Sequence, residues 1–242
     1  MARLLFFCFL SFYAQTAMGS APFRLKPLAL IFAGPTTDRD SLRDLSALAR
    51  TKGFAIKRVL PGETTPLLLS QTALYVVPGG EDISAPAEGW APSELSAIRA
   101  YVREGGRYLG FCLGGYWASH ERHWPGVIPG FQALDLLPVP VHSYSETKES
   151  RIERLRWHNG HYRFGFFQDG PDFGQPTGNE QVFARYDNGT IATAIYRVGA
   201  GKVAVSGPHW EAAEDWFDET LPDPDPAHRE LARELLAELL KP

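Results

Sequence analysis

Cysteine is scarce in this sequence of 242 residues, which contains only Cys8 and Cys112. Cys8 lies in an apolar amino-terminal stretch, and removal of that stretch would leave Cys112 as the single thiol. A chain with one thiol cannot form an internal disulfide, so the class of small disulfide-stabilised domains is excluded. Its stability must come from a hydrophobic core, and hydrophobic residues make up 44% of the chain, an ordinary globular value.

The sequence also lacks an excess of basic residues, an internal repeat and a low-complexity tract. Its formal charge is −4, which gives no reason to expect nucleic acid or an anionic membrane surface as a partner. The histidine-rich stretch at His120, Glu121 and His123 offers too few ligands for a metal and is interpreted as a solvated helix end. We therefore expect no metal, no cofactor and no nucleic acid. The sequence leaves the oligomeric state open.

The amino terminus is predicted to be a secretory signal peptide. Arg3 supplies a positive charge, Leu4–Tyr13 an apolar core, and Ala17 to Gly19 a small-residue cleavage site. The apolar core is shorter than the roughly 20 residues that a membrane-spanning helix requires. We expect residues 1–19 to be removed, leaving 20–242 as one secreted or periplasmic α/β domain without membrane attachment.

Strand and helix patterns alternate in the first half of the chain, as is typical of a parallel sheet covered on both faces. Beyond Cys112, alternating segments are separated by turn pairs, which indicates antiparallel strands that extend this sheet. The predicted strands of the first half are 28–34, 54–60 near an edge, 73–80 and 107–112, and the predicted helices are 38–53 and 93–106. The predicted turn pairs are Asn159-Gly160, Asn188-Gly189 and Ala200-Gly201.

Cys112 follows a buried strand and precedes a predicted helix, in the stretch "GFCLGG". A residue at such a turn projects above the carboxyl edge of the sheet, where ligands bind in open α/β sheets. The glycines around Cys112 suit a tight turn with little room for side chains. The helix amino terminus favours negative charge, both on the thiolate and on a developing oxyanion.

A nucleophilic thiol also needs oxyanion donors and a base. Leu113 N–H is one candidate donor, and the glycines after the strand 73–80 offer a second, with Gly80 preferred over Gly79. His209 follows the strand "KVAVSG" and precedes Glu211 by two residues, a spacing that lets the carboxylate orient the imidazole.

The stretches "GFCLGG" and "SGPHWE" resemble the class I glutamine amidotransferase-like superfamily. "YVVPGGEDIS", "IRAYVREGGRYLGFCLGGYWAS", "ARYDNGTIATA" and "VGAGKVAVSGPHWE" are more closely similar to the domain at the amino terminus of fungal biotin-protein ligases, which also occurs alone. The similarity covers roughly residues 28–217. It implies a three-layer, flavodoxin-like α/β fold and a catalytic triad of Cys112, His209 and Glu211.

Two departures from these families limit what the resemblance implies. The sequence contains no ligase module, so no biotinylation is expected. Trp210 stands where amidotransferases usually have proline between the histidine and the glutamate, which implies a reshaped pocket and leaves glutamine open as the substrate. We expect an amide or peptide-like small molecule as substrate, bound by Glu81, Asp82, Gly114 and Tyr116.

Two alternatives remain open. The fold could serve as a binding module without catalysis, which thiol reactivity would decide. Alternatively, Glu81 or Asp82 could activate the cysteine in place of His209, as in the related intracellular-protease-like branch. The leading hypothesis is a secreted cysteine hydrolase that acts on an amide or related acyl compound.

Overall fold

The computed structural model describes residues 26–81, 88–119 and 132–242. The predicted signal peptide lies outside these residues, as do Asp82, His120, Glu121 and His123. The strands, in chain order, are β1 (Leu28–Phe32), β2 (Ala55–Val59), β3 (Thr72–Val77), β4 (Arg107–Phe111), β5 (His142–Ser143), β6 (Arg151–Trp157), β7 (Tyr162–Phe167), β8 (Pro171–Asp172), β9 (Glu180–Arg185), β10 (Ile191–Val198) and β11 (Gly201–Ser206). The helices are α1 (Arg39–Thr51), α2 (Pro66–Leu69), α3 (Pro92–Arg103), α4 (Leu113–Trp117) and α5 (His228–Leu239), with a short 3-10 helix at Glu214–Trp216.

A mixed sheet forms the centre of the described structure, in the strand order β2-β1-β3-β4-β11-β10-β9-β6-β7. The first five of these strands are parallel, and the other four continue the sheet through antiparallel pairs. β5 and β8 form a separate antiparallel pair. The prediction of a parallel sheet extended by antiparallel strands is confirmed, and β2 lies at the predicted edge.

β11 joins the two parts of the sheet, because it pairs parallel with β4 and antiparallel with β10. The hairpin before it turns at Gly199 and Ala200, so the predicted turn at Ala200-Gly201 is wrong by one residue. Gly199 takes the positive φ of +61° that the turn requires. Gly201 instead packs against the backbone of α3, where an added Cβ would lie 1.9 Å from Val102 O.

The sheet separates two hydrophobic cores, because successive side chains of a strand point to opposite faces. Leu30 and Phe32 of β1 belong to the core beneath α3 and α4, whereas Ala29 and Ile31 belong to the core beneath α1 and α5. The described structure therefore has the predicted three layers. Within these residues, no helix has the length and apolar composition needed to cross a bilayer.

α1 shows how the sequence sets the boundaries of these helices. The Asp38 side chain caps its first turn by accepting from Ser41 N–H at 2.7 Å. Leu42, Leu45 and Leu48 are buried on its inner stripe. Gly53, with φ +83°, reverses the chain just after the helix, as predicted.

The parallel strands bring four chain segments to one edge of the sheet. β1 is followed there by the loop to α1, β3 by Gly79 and Gly80, β4 by Cys112 and β11 by the loop that carries His209. An antiparallel bridge between Thr37 and Gly80 joins the first two of these segments. Because β4 and β11 are adjacent, the turn at Cys112 and the His209 loop emerge side by side.

Candidate active site

Cys112 lies on the sharp turn between β4 and α4. Its φ of +47° falls in the left-handed region, which a residue other than glycine rarely adopts. Hydrogen bonds hold the turn on both sides: Cys112 N–H donates to Ser206 O at 2.8 Å, and Cys112 O accepts from Gly115 N–H at 2.8 Å. This strand-to-helix turn is the geometry of a nucleophile elbow.

Glycines make the elbow possible. An added Cβ on Gly114 would lie 2.1 Å from Val77 O, and one on Gly110 would lie 2.4 Å from Gly114 O. α4 therefore packs backbone against backbone on the ends of β3 and β4. The tight turn that the sequence predicts at the thiol therefore requires glycine at positions 110 and 114, because a Cβ at either position would meet the backbone.

His209 is buried between the thiol and a carboxylate. Its Nδ1 lies 2.9 Å from Glu211 Oε1, and the ring lies close enough to Cys112 for the charge of the sulfur to act on it. Because Nδ1 is engaged with Glu211, Nε2 is the nitrogen available to the sulfur. The ring is fixed further by His209 N–H, which donates to Phe166 O at 2.8 Å, and by Trp216, whose ring centroid is 5.0 Å away.

The electrostatic balance at His209 favours the imidazolium. Burial by itself lowers the pKa of His209, but the negative charges of Glu211 and Cys112 and the hydrogen bond to Glu211 raise the pKa to about 10. A positively charged ring beside the sulfur stabilises the thiolate, which is the nucleophilic form of cysteine.

This raised pKa predicts a dependence of stability on pH. The pKa of His209 rises from 6.5 to about 10 on folding, so its stabilising contribution is full below pH 6.5 and is lost as the pH approaches 10. We expect urea unfolding of the wild type and a His209→Gln variant to show a difference in unfolding free energy that shrinks across this window. The change should be on the order of a few kcal/mol, since one pH unit corresponds to about 1.4 kcal/mol. A difference that stays constant from pH 6.5 to 10 would contradict this assignment.

Ser41, which no sequence pattern indicates, joins Glu211 to the glycine loop. Its buried hydroxyl donates to Glu211 Oε1 at 2.7 Å and accepts from Gly79 N–H at 3.0 Å. Ser41 thus fixes the carboxylate behind His209 and turns the Gly79 amide toward itself. Its position inside an amphipathic helix carries no motif that could have indicated this role.

The predicted oxyanion donors therefore differ in availability. The Gly79 amide is engaged by Ser41, which removes it from the candidates in this arrangement. Among the described residues, no hydrogen bond engages the backbone N–H of Gly80 or of Leu113. The two residues are close together, because an added Cβ on Gly80 would lie 2.9 Å from Leu113 Cδ2. Gly79 packs against the imidazole instead. An added Cβ at this position would lie 2.5 Å from His209 Cε1.

The predicted substrate residues Tyr116 and Glu81 differ in their relation to the thiol. Tyr116 is buried, burial raises its pKa, and its side chain hydrogen-bonds to Ser143 and interacts with the charge of Cys112. Glu81 is exposed at the carboxyl edge, and within the described residues no hydrogen bond joins its side chain to the thiol or to His209. The sequence did not identify Gln168, whose backbone oxygen lies 3.6 Å from Cys112 Sγ.

Trp210 points away from the site even though it lies between His209 and Glu211. Its ring is fully buried in the core beneath α1 and α5, where it stacks edge-on against Trp157 at 5.4 Å. Its Nε1–H donates to Thr193 Oγ1 at 2.9 Å. The indole therefore occupies the protein interior and does not fill the space beside the thiol.

Comparison with known proteins supports the same assignment of fold. The family model described as "Biotin-protein ligase, N terminal" matches residues 29–126, a segment that includes Cys112 but not His209 or Glu211. No curated protein gives a significant match to the chain.

Solved structures match over most of the chain. A protein described as a glutamine amidotransferase has 23% identity and a TM-score of 0.62, with 88% of this chain and 98% of that chain covered. A glutamine amidotransferase from Thermotoga maritima has 14% identity and a TM-score of 0.62, covering 90% and 100%. PurLQS from Thermotoga maritima has 18% identity and a TM-score of 0.58, covering 89% and 100%. At these identities the likeness concerns the fold. The chain therefore has the class I glutamine amidotransferase-like fold, and its residues 29–126 match the biotin-protein ligase amino-terminal family.

Proposed function

We propose that the protein is a cysteine-dependent hydrolase of amides or related acyl compounds. The observation that carries this proposal is the chain of buried contacts from Glu211 through His209 to Cys112 on a strained elbow. Buried polar groups with this order of contacts match a nucleophile, a base and an orienting carboxylate.

The proposed reaction proceeds through a thioester. His209 holds the proton of Cys112, and the thiolate attacks the carbonyl carbon of the substrate. The N–H groups of Leu113 and Gly80 stabilise the negative oxygen that develops. Collapse of this tetrahedral intermediate breaks the bond between the carbon and the leaving group, and the leaving group takes the proton from His209. His209 then removes a proton from water, and the resulting hydroxide cleaves the thioester to a carboxylic acid and the thiol.

Glutamine is the first substrate to test, because two of the structural neighbours are described as glutamine amidotransferases. Because the Trp210 side chain lies in the core, it does not block the space beside the thiol. Glu211, rather than Glu81, is proposed as the carboxylate that supports catalysis, because it contacts the imidazole directly.

Labelling of the thiol combined with a substrate panel tests the proposal. We expect iodoacetamide at pH 6 to modify Cys112 of the full chain, and Cys112→Ser to abolish both labelling at this position and release of ammonia from an amide in the panel. Mass mapping locates the label and also shows whether residues 1–19 have been removed, as expected for an exported protein. If Cys112 reacts no faster than an ordinary thiol, or Cys112→Ser retains turnover, the hydrolase is refuted and a binding module becomes the better explanation.

A further inference from the structure

A small cavity lies behind the triad, between α1 and α5. Its volume is about 40 Å³, which is enough for at least one water molecule. Glu211 and Asp44 form its buried part, and Thr51, Arg229 and Arg233 line it where these helices approach solvent.

Glu211 presents an acceptor that the triad does not use. Its Oε1 accepts from His209 and Ser41, whereas its Oε2 is fully buried and has no hydrogen-bond partner among the described residues. A buried carboxylate oxygen without a partner is destabilising, because it has lost its hydration without gaining a hydrogen bond in the protein. Glu211 is also one of the residues that line the cavity, so a donor that approached Oε2 from this side would satisfy it.

The charged neighbours of the cavity differ in whether they are already paired. The Asp44 carboxylate accepts from Arg43 at 2.9 Å and from Trp216 Nε1–H at 2.9 Å. Arg233 forms an ion pair with Glu230. Within the described residues, no acidic side chain pairs with Arg229. Among the described residues, Arg229 is therefore the arginine at this cavity without an acidic partner.

We infer that the cavity binds a water molecule that donates to Glu211 Oε2 and accepts from the Arg229 guanidinium, which makes Arg229 a positioning residue for the triad. Water suits the site because it can donate to the carboxylate and accept from the guanidinium within so small a volume. A carboxylate held from both oxygens keeps a fixed direction, and the nearby positive charge moderates its attraction for His209. The role in catalysis rests on the proposed function, whereas the water site does not.

Titration of His209 by NMR tests this inference without a substrate. The full chain, Arg229→Met and Arg233→Met are compared, because both substitutions remove an arginine that lines the same cavity and only Arg233 is already paired. We expect Arg229→Met to move the titration midpoint of His209 upward by roughly half a pH unit, since a positive charge near Glu211 is lost. Arg233→Met should move it by less than half as much, and Arg229→Lys should restore most of the wild-type value. Equal movements in the two methionine variants, or none in Arg229→Met, would overturn the inference.

A high-resolution crystal structure provides the second readout. We expect a water within hydrogen-bond distance of both Glu211 Oε2 and Arg229, and a dry cavity or an Arg229 turned away from it would refute the site. The outcomes are separable from those of the proposed function. An unreactive Cys112 would remove the hydrolase and leave the water site standing, whereas a reactive Cys112 with an unchanged titration in Arg229→Met would do the reverse.

Discussion

Replacing His209 with glutamine is expected to slow alkylation of Cys112 by iodoacetamide at pH 6 by about a hundredfold. An ordinary thiol, with a pKa near 8.5, is only about 0.3% ionised at that pH. In the folded protein the ring of His209 lies beside the sulfur. It is positively charged at pH 6 because its pKa is raised to about 10, and this charge stabilises the thiolate. Glutamine fills much of the same space but carries no positive charge, so the thiol should return to ordinary reactivity.

The matched control for this measurement is His161→Gln. His161 is an exposed histidine in the hairpin between β6 and β7, so its replacement removes a histidine without touching the site. We expect the control to alkylate at the wild-type rate. Retention of fast alkylation in His209→Gln, with circular dichroism unchanged, would show that another group activates the cysteine. Glu81→Gln would then test the acid-activated alternative directly.

Replacing Gly114 with alanine is expected to destabilise the protein by about 3 kcal/mol or more. The new Cβ would lie 2.1 Å from Val77 O, and neither α4 nor β3 can give way through side-chain movement alone. Overpacking of this kind commonly costs about 1–3 kcal/mol, and a backbone-to-backbone contact belongs at the upper end. Because Cys112 immediately precedes α4, the thiol should also move away from His209.

Gly115→Ala is the control for Gly114→Ala, since it adds the same methyl group to the same short helix. Its Cβ would meet only the side chains of Pro171 and Phe173, at 3.0 Å, and these can shift by a few tenths of an ångström. We expect urea unfolding to show a clearly smaller loss of stability for Gly115→Ala. Equal losses of stability in the two variants would mean that the close approach to Val77 does not explain why residue 114 is glycine.

The sequence predicted the spatial arrangement of Cys112, His209 and Glu211 better than their surroundings. Their adjacency follows from a general property of parallel sheets, because strands that end at the same edge place the residues after them together. The contacts around them depend on three-dimensional packing that no local pattern encodes. The serine that links Gly79 to Glu211 is one of several polar residues in an amphipathic helix, and only the docking of α1 on the sheet selects it.

Two further features, the direction of the Trp210 side chain and the position of the turn before β11, also depend on three-dimensional packing. The direction of the Trp210 side chain depends on whether the backbone after β11 turns the residue toward the core or toward the cleft, and its spacing in the sequence is compatible with both. The sequence predicts the turn before β11 one residue too late, because Gly199 and Gly201 flank one alanine. The required positive φ and the close approach to Val102 decide between them only in the folded chain.

The adjacency of β4 and β11 has a consequence for how such a protein can diversify. The sulfur and the imidazole follow the ends of neighbouring strands, whose register is fixed by main-chain pairing from Lys202 with Arg107 to Ser206 with Phe111. The segment of chain between them contributes Gln168 and Ser143, which contact Cys112 and Tyr116, and also Phe166, whose carbonyl oxygen holds the backbone of His209. Insertions or exchanges in that segment that keep the contact of Phe166 with His209 can therefore alter the surroundings of the thiol, while the register of β4 and β11 stays the same.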